Sequence, residues 1–167
     1  MKETREGIER LKQISIFKDI RDDEEALGNI FNIMRVEGYP ADTKIIKEGE
    51  QGDEMYILNR GRIRIEKKTL HDESYTVVLL RDEMNVFFGE QALMDSDQRS
   101  ATVVAETECE CFVMKKGDFE ALGNKYPALG LAVTREIAKI ISQRLRKTNQ
   151  DIISLFEALV NEIESRE

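Results

Sequence analysis

The sequence predicts a mainly β fold with flanking helices: an antiparallel β-sandwich or jelly roll (double-stranded β-helix) with N-terminal helices and a long C-terminal helix. Three observations carry this. Between Tyr39 and Met114 short strand-like runs recur, with turn residues every eight to twelve positions, enough for about seven or eight strands. Helical periodicity stands on either side of that region. In the last stretch apolar positions fall alternately four and three residues apart, as in a heptad seam. The expected organisation is an N-terminal helical segment over 1–38, a β jelly roll over 39–115 and C-terminal helices over 116–167.

From Thr4 to Met34 the pattern is helical. Ile8 and Leu11 share one face, and in a second segment Leu27, Ile30, Phe31 and Met34 recur at i, i+3, i+4 and i+7. Asp22, Asp23, Glu24 and Glu25 place acid where a helix N-terminus favours it. Ile45 and Ile46 then precede the loop Glu48-Gly49-Glu50-Gln51-Gly52-Asp53. Met55 to Leu58 reads as a strand, Asn59-Arg60-Gly61 as a turn, and Arg62 to Glu66 as a strand with Ile63 and Ile65 on one side. Lys67 to Ser74 is expected as an exposed loop carrying His71, followed by strands at Tyr75–Leu80, Ser100–Ala105 and Glu110–Met114. Asp118 can cap a short helix running through Leu122, and Tyr126 and Pro127 punctuate before the final helix, expected over 127–165. There Ile141, Thr148 and Leu155 interleave with Leu145, Ile152 and Leu159. A helix from Pro127 to the end would be about 60 Å long. A small sandwich cannot cover that length, so the surplus stripe is expected to meet a second copy, forming a homodimer; the alternative is a seam that packs on its own domain and frays after Lys147.

Composition narrows the function classes. The 167 residues carry 25 Lys plus Arg against 33 Asp plus Glu, a net charge of −8, with 41% apolar residues and two Pro, which is globular rather than low-complexity. The acidic balance disfavours DNA binding by phosphate contacts. No apolar run reaches the ~18 residues of a membrane span, and the charged N-terminus does not resemble a signal core, so a cytoplasmic, soluble protein is expected. Cys109 and Cys111 lie one residue apart in a strand-like run and are expected as half-buried thiols without a disulfide. With two Cys and the lone His71, neither a zinc site nor the metal cluster of a phosphodiesterase is expected, nor a haem ligand set, and the chain reads as a non-enzyme with no cofactor.

One segment carries chemistry: Phe88-Gly89-Glu90-Gln91-Ala92-Leu93, a polar loop over 94–98, then Arg99-Ser100-Ala101-Thr102. Gly89 and Ala92 lack bulk, so backbone N–H groups can approach an anion, and a short helix starting here would add its positive end. Arg99 offers a planar charged fork for phosphate oxygens, Ser100 a hydroxyl and Ala101 a further N–H. Glu90 would be repelled by phosphate unless it faces a donor such as a sugar hydroxyl. Phosphate plus hydroxyl indicates a nucleotide. The absence of a Gly-rich loop followed by Lys argues against a di- or triphosphate, and one Arg suits an anion of charge about −1, which argues for a cyclic monophosphate. The bland alternatives stay open: Gly89 permits a turn, and Arg99 and Glu90 form a local ion pair.

These residues resemble the phosphate-binding cassette, here 88–102, of the cyclic nucleotide-binding domain family, which includes catabolite activator proteins and the regulatory subunits of cAMP-dependent kinase. The upstream Gly49-Glu50-x-Gly52-Asp53-x-Met55-Tyr56-Ile57-Leu58-x-x-Gly61 run is also similar, and the likeness spans about residues 8 to 148. The resemblance implies that Gly89, Gln91 and Ala92 belong to the ligand site with their backbone, that Glu90 accepts from the ribose 2′-OH, and that Arg99, Ser100 and Ala101 hold the phosphate. In catabolite activator proteins an Arg-Leu-x-x-Thr-Ser stretch contacts adenine; Arg144-Leu145-x-x-Thr148-Asn149 looks similar, which adds Thr148 and Asn149 as candidates and favours cAMP over cGMP. Ser100 decides neither base. Ile63, Ile65 and Leu80 are expected as apolar walls. What the resemblance implies is a regulatory sensor that changes its helix arrangement on binding and signals to an unidentified partner protein. Two alternatives are the sensory half of a catabolite-activator-type transcription regulator and a ligand-free dimerisation scaffold.

Overall fold

The computed structural model describes residues 2–69, 71, 73–95 and 98–164, with side-chain burial from residue 4 on. Parts of the expected 67–74 and 94–98 loops and residue 165 of the expected final helix lie outside the described residues. Helix α1 spans Lys2–Lys12, a 3₁₀ turn follows at Ser15–Ile20, and α2 spans Glu24–Asn32. Eight strands come next: β1 (Met34–Tyr39), β2 (Lys44–Ile46), β3 (Glu54–Arg60), β4 (Arg62–Lys68), β5 (Ser74–Arg81), β6 (Phe87–Phe88), β7 (Thr102–Ala105) and β8 (Cys109–Lys115). Short 3₁₀ turns at Asp82–Met84 and Glu90–Leu93 flank β6, and α3 (Lys116–Lys125) and α4 (Pro127–Glu164) close the described chain.

The strands form two four-stranded antiparallel sheets, ordered β1-β8-β3-β6 and β2-β7-β4-β5, packed as a sandwich. Successive side chains of a strand point to opposite faces, so β3 and β8 feed two cores at once. Tyr56, Leu58, Cys109, Cys111 and Val113 face the second sheet, where Ile63, Val103 and Ala105 meet them. Met55, Ile57, Phe112 and Met114 face the helices and pack on Leu11, Phe17, Leu27, Phe119, Val133 and Ile137. This double burial explains the unbroken apolar run Met55-Tyr56-Ile57-Leu58.

Several boundaries differ from the sequence reading, each for a local reason. The helical period read through Met34 ends at Asn32: Ile33 leaves helical geometry, and Met34–Tyr39 pairs along β8 as an alternating strand. Asp23, as expected of the acidic run, caps α2 by accepting from the Ala26 N–H at 2.9 Å. Asn59 and Arg60 extend β3, so the β3–β4 reversal falls on Gly61. Lys67 and Lys68 continue β4 opposite Tyr75 and Ser74. Helix α3 starts at Lys116, so Asp118 lies in its first turn rather than capping it. Both cysteines are fully buried rather than half-buried and are free thiols; burial, with the neighbouring Cys109, pushes the Cys111 thiol up to about 12.

Candidate functional site

The 3₁₀ turn Glu90–Leu93 sits between β6 and the returning Arg99 segment. Phe88 anchors its start by stacking on Tyr56 with ring centroids 5.1 Å apart, nearly parallel. Gly89 then turns the chain at φ +73°, a left-handed conformation that suits glycine, and a Cβ there would lie 2.9 Å from the Arg99 guanidinium. The Ala92 N–H donates to the Gly89 carbonyl at 3.1 Å and closes the turn, so this N–H, expected to face a ligand, is spent inside the turn.

Arg99 is half-buried and held by backbone. It donates through Nη2 to the Glu54 carbonyl at 2.7 Å and through Nη1 to the Gly89 carbonyl at 3.3 Å. Two of its five N–H donors are thereby committed to orientation. Its main chain pairs with the 48–53 loop, where the Arg99 N–H donates to Glu50 O and the Gly49 N–H to Arg99 O. The guanidinium lies across Gly52, where any Cβ would come within 2.5 Å of it. The two motifs that the sequence separates by about forty residues are therefore one structure. Glu54 is itself tied down: Arg35 pairs with its carboxylate at 2.8 Å and the Tyr56 hydroxyl donates to it at 3.0 Å. Burial, with Glu54 beside it, pushes the Tyr56 phenol above its ordinary range.

Glu90 is 2% exposed, and its carboxylate accepts a hydrogen bond from Arg144 of α4. A buried carboxylate needs such a partner. The ion pair joins the cassette to the final helix.

A cavity of about 470 Å³ opens between these groups. Gly89, Glu90, Gln91, Ala92, Arg99, Ser100 and Ala101 line it, so seven of the nine candidate residues meet in one place. Its apolar side is Ile46, Val103, Ile65 and Leu80, one from each strand of the second sheet. Ile63, expected on that wall, is instead buried between the sheets. Thr148 and Asn149 do not reach the cavity; they are exposed one turn farther along α4, and Arg144 occupies the position over the cassette. Asp95 and Gln98 also line the cavity and had no signal beyond lying in the polar loop. A volume of this size lies within the range of small-molecule sites. Among the described residues no group of His, Cys, Asp and Glu could hold a metal ion, and no helix is long and apolar enough to cross a membrane.

The chain matches the family described as Cyclic nucleotide-binding domain over residues 36–126. Human cGMP-dependent protein kinase 2 is 32% identical over 111 residues, covering 65% of this chain and 14% of the kinase. The Cyclic AMP receptor protein of Thermus thermophilus is 30% identical over 122 residues, covering 72% of this chain and 54% of that protein. The matched segment is thus a small part of the kinase and about half of the receptor protein. Among solved structures, the Thermus thermophilus Catabolite Activator Protein superposes with a TM-score of 0.74 at 25% identity, covering 84% of this chain and 62% of that one. The regulatory domain of Toxoplasma gondii PKA, crystallised with cAMP, shares the fold with a TM-score of 0.68 at 22% identity, covering 83% and 51%.

Proposed function

Since the chain belongs to the cyclic nucleotide-binding domain family, we propose that it is a sensor holding a cyclic nucleotide, cAMP in preference to cGMP, in the cavity beneath Arg144. One observation carries this: a fixed guanidinium, Arg99, and a buried carboxylate, Glu90, face the same cavity from either end of the cassette. The cyclic phosphate lies against Arg99, Ser100 and the N–H groups that open the Glu90–Leu93 turn, with Gly89, Gln91, Ala92 and Ala101 shaping the cradle. The ribose 2′-OH donates to Glu90, and the base rests on Ile65 and Leu80. Relatives named for cGMP dependence, for cyclic AMP and for bound cAMP support the ligand class.

Signalling follows from the Glu90–Arg144 pair. A ribose hydroxyl that takes a lone pair of Glu90 changes the partner of Arg144, and α4 feels the change. A ligand shifts such an equilibrium only by its preference between the two arrangements, about 1–3 kcal/mol for ordinary coupling. In this account the chain is a cytoplasmic, non-catalytic regulator that uses no cofactor. It dimerises through the exposed α4 seam, with Thr148 at a seam position and Asn149 beside it, and hands the signal to a partner protein rather than to DNA or membrane.

Calorimetric titration with cAMP and cGMP in parallel tests this, on protein stripped of nucleotide through a denaturing step. Saturable binding with a tighter constant for cAMP is expected. Tighter cGMP binding corrects the base assignment, and the absence of heat with both leaves a ligand-free scaffold whose Glu90–Arg144 pair is purely structural.

A further inference from the structure

Arg10 of α1 is half-buried and reaches from the helix layer into the sandwich. Its helix is firmly seated: Leu11 is fully buried in the core, and the backbone at Gly7 lies so close to the Phe31 ring that any Cβ there would strike it. From that seat Arg10 Nη2 donates to the carbonyls of Leu58 and Asp82, both at 2.7 Å. Its Nη1 donates to Asn85 Oδ1 at 2.7 Å and to Gln13 Oε1 at 3.2 Å. None of these acceptors is a carboxylate, and Nε is buried with no hydrogen-bond partner among the described residues. Burial holds the guanidinium below its ordinary pKa. A charge placed among neutral acceptors is a costly way to fill space that an apolar side chain would fill. What it supplies instead is direction: three short bonds from one helix to β3 and to the turn beyond β5.

That turn, Asp82–Met84 with Asn85 as its C-terminal cap, links β5 to β6. A cavity-lining residue stands two positions beyond each end, Leu80 before Asp82 and Phe87 after Asn85, and they approach the cavity from opposite sheets. Phe88 and Gly89 then open the cassette. The first residue of the turn is fixed from the sandwich: Asp82 Oδ2 accepts from the Gly61 N–H at 3.0 Å, and the Asp82 N–H donates to the Gly61 carbonyl at 3.1 Å. The last, Asn85, adopts φ +55°, a left-handed conformation that Asn tolerates better than most residues, and its side chain is turned to Arg10.

We infer that Arg10 is a positioning residue of the nucleotide site: by fixing the 82–85 turn against α1 it sets the spacing of Leu80 and Phe87 about the cavity, and it makes the seat of α1 depend on what the cavity holds. The inference rests on the nucleotide reading above. It adds a second path out of the cavity, through the turn to the N-terminal helix, beside the Glu90–Arg144 pair. A ligand that draws Leu80 and the cassette together shifts the turn that joins them, and hydrogen bonds as short and directed as those of Arg10 strengthen or weaken with a small shift. The coupling is reciprocal, so loosening the clamp lowers nucleotide affinity and nucleotide binding tightens α1.

A mutant cycle on the full chain, stripped of nucleotide, tests it. Arg10→Met keeps an unbranched stem and removes the donors; Asn85→Gly keeps the left-handed backbone and removes one acceptor, and it carries the test alone should Arg10→Met fail to fold. Calorimetric titration with cAMP is expected to show about tenfold weaker binding by Arg10→Met and about threefold by Asn85→Gly, the range of one to a few hydrogen bonds. The double variant is expected to be no weaker than Arg10→Met, because both substitutions act through one contact. Hydrogen exchange supplies the reciprocal reading: saturating cAMP is expected to slow the α1 amides of the unmodified chain about fivefold and to leave those of Arg10→Met unchanged. Variants that lose stability to urea yet bind cAMP as the unmodified chain does would overturn the inference and leave Arg10 a purely structural residue. Losses that multiply in the double variant, or α1 amides indifferent to cAMP in the unmodified chain, would overturn it as well. An unmodified chain that binds neither cAMP nor cGMP refutes the nucleotide reading itself, and the inference falls with it.

Discussion

The two halves of α4 have similar apolar content and opposite fates. In the first half Leu129, Val133 and Ile137 are buried against α3, the Ser15–Ile20 turn and the outer face of the first sheet. In the second half Leu145, Ile152, Leu155 and Leu159 are all more than half exposed. The boundary falls at Arg144, where the helix crosses the cavity mouth and grips Glu90. The first half therefore belongs to the folded body and the second projects from it, with the residue that grips Glu90 at the junction. A helix divided in this way suits the switch proposed above, since Arg144 ties Glu90 to the half that projects.

The largest effect separating the halves is on stability. Ile137→Ala is expected to cost about 3 kcal/mol by urea unfolding, from lost burial and the cavity left behind. Ile152→Ala at high dilution is expected to change it by less than about 0.5 kcal/mol, as at other exposed positions. Equal losses would mean that the second half also packs on its own domain. The next effect is on association: Leu145→Asp is expected to weaken the proposed α4 dimer at least about thirtyfold by sedimentation, since it places a charge in an apolar seam. Its unfolding curve as a monomer should match that of the unmodified chain.

The smallest effect concerns Glu136, 2% exposed in the first half and paired with Lys18 at 2.6 Å and with Lys139. Burial pushes this carboxyl up, but the hydrogen bonds from Lys139 and Lys18 outweigh it and hold the group below its ordinary value of 4.5. A carboxyl depressed on folding stabilises the native state above its unfolded pKa, and that contribution fades as pH falls through the folded one. Glu136→Gln is expected to cost about 1 kcal/mol at neutral pH, with the difference from the unmodified chain shrinking below about pH 4.5. A difference that stays constant from pH 7 to pH 3 would show that the ion pairs contribute nothing.

What the sequence made legible follows from what repeats along it. Strand alternation, the cassette and the α4 seam are periodic or local, and the sandwich they imply is the one observed. The hidden features are those that depend on where elements cross. Glu54 holds Arg99 through a carbonyl, which no side-chain motif encodes. Helical period shows that Arg144 and Thr148 share a face of α4 but not which of them stands over the cavity; one turn, about 6 Å, separates the two readings. The strand at Met34 was hidden for a different reason: its apolar residue also completes the α2 stripe, and only pairing with β8 decides its state.

The most direct test of the central claim compares the unmodified chain with Arg99→Ala, both stripped of nucleotide, by calorimetric titration with cAMP and cGMP and by thermal unfolding. Loss of two carbonyl hydrogen bonds should lower stability by only about 1–2 kcal/mol. The expected result is saturable binding to the unmodified chain and at least about a hundredfold weaker binding to the folded variant. Equal affinity in the two proteins, or no binding to either, would contradict the assignment of this cavity as the cyclic nucleotide site.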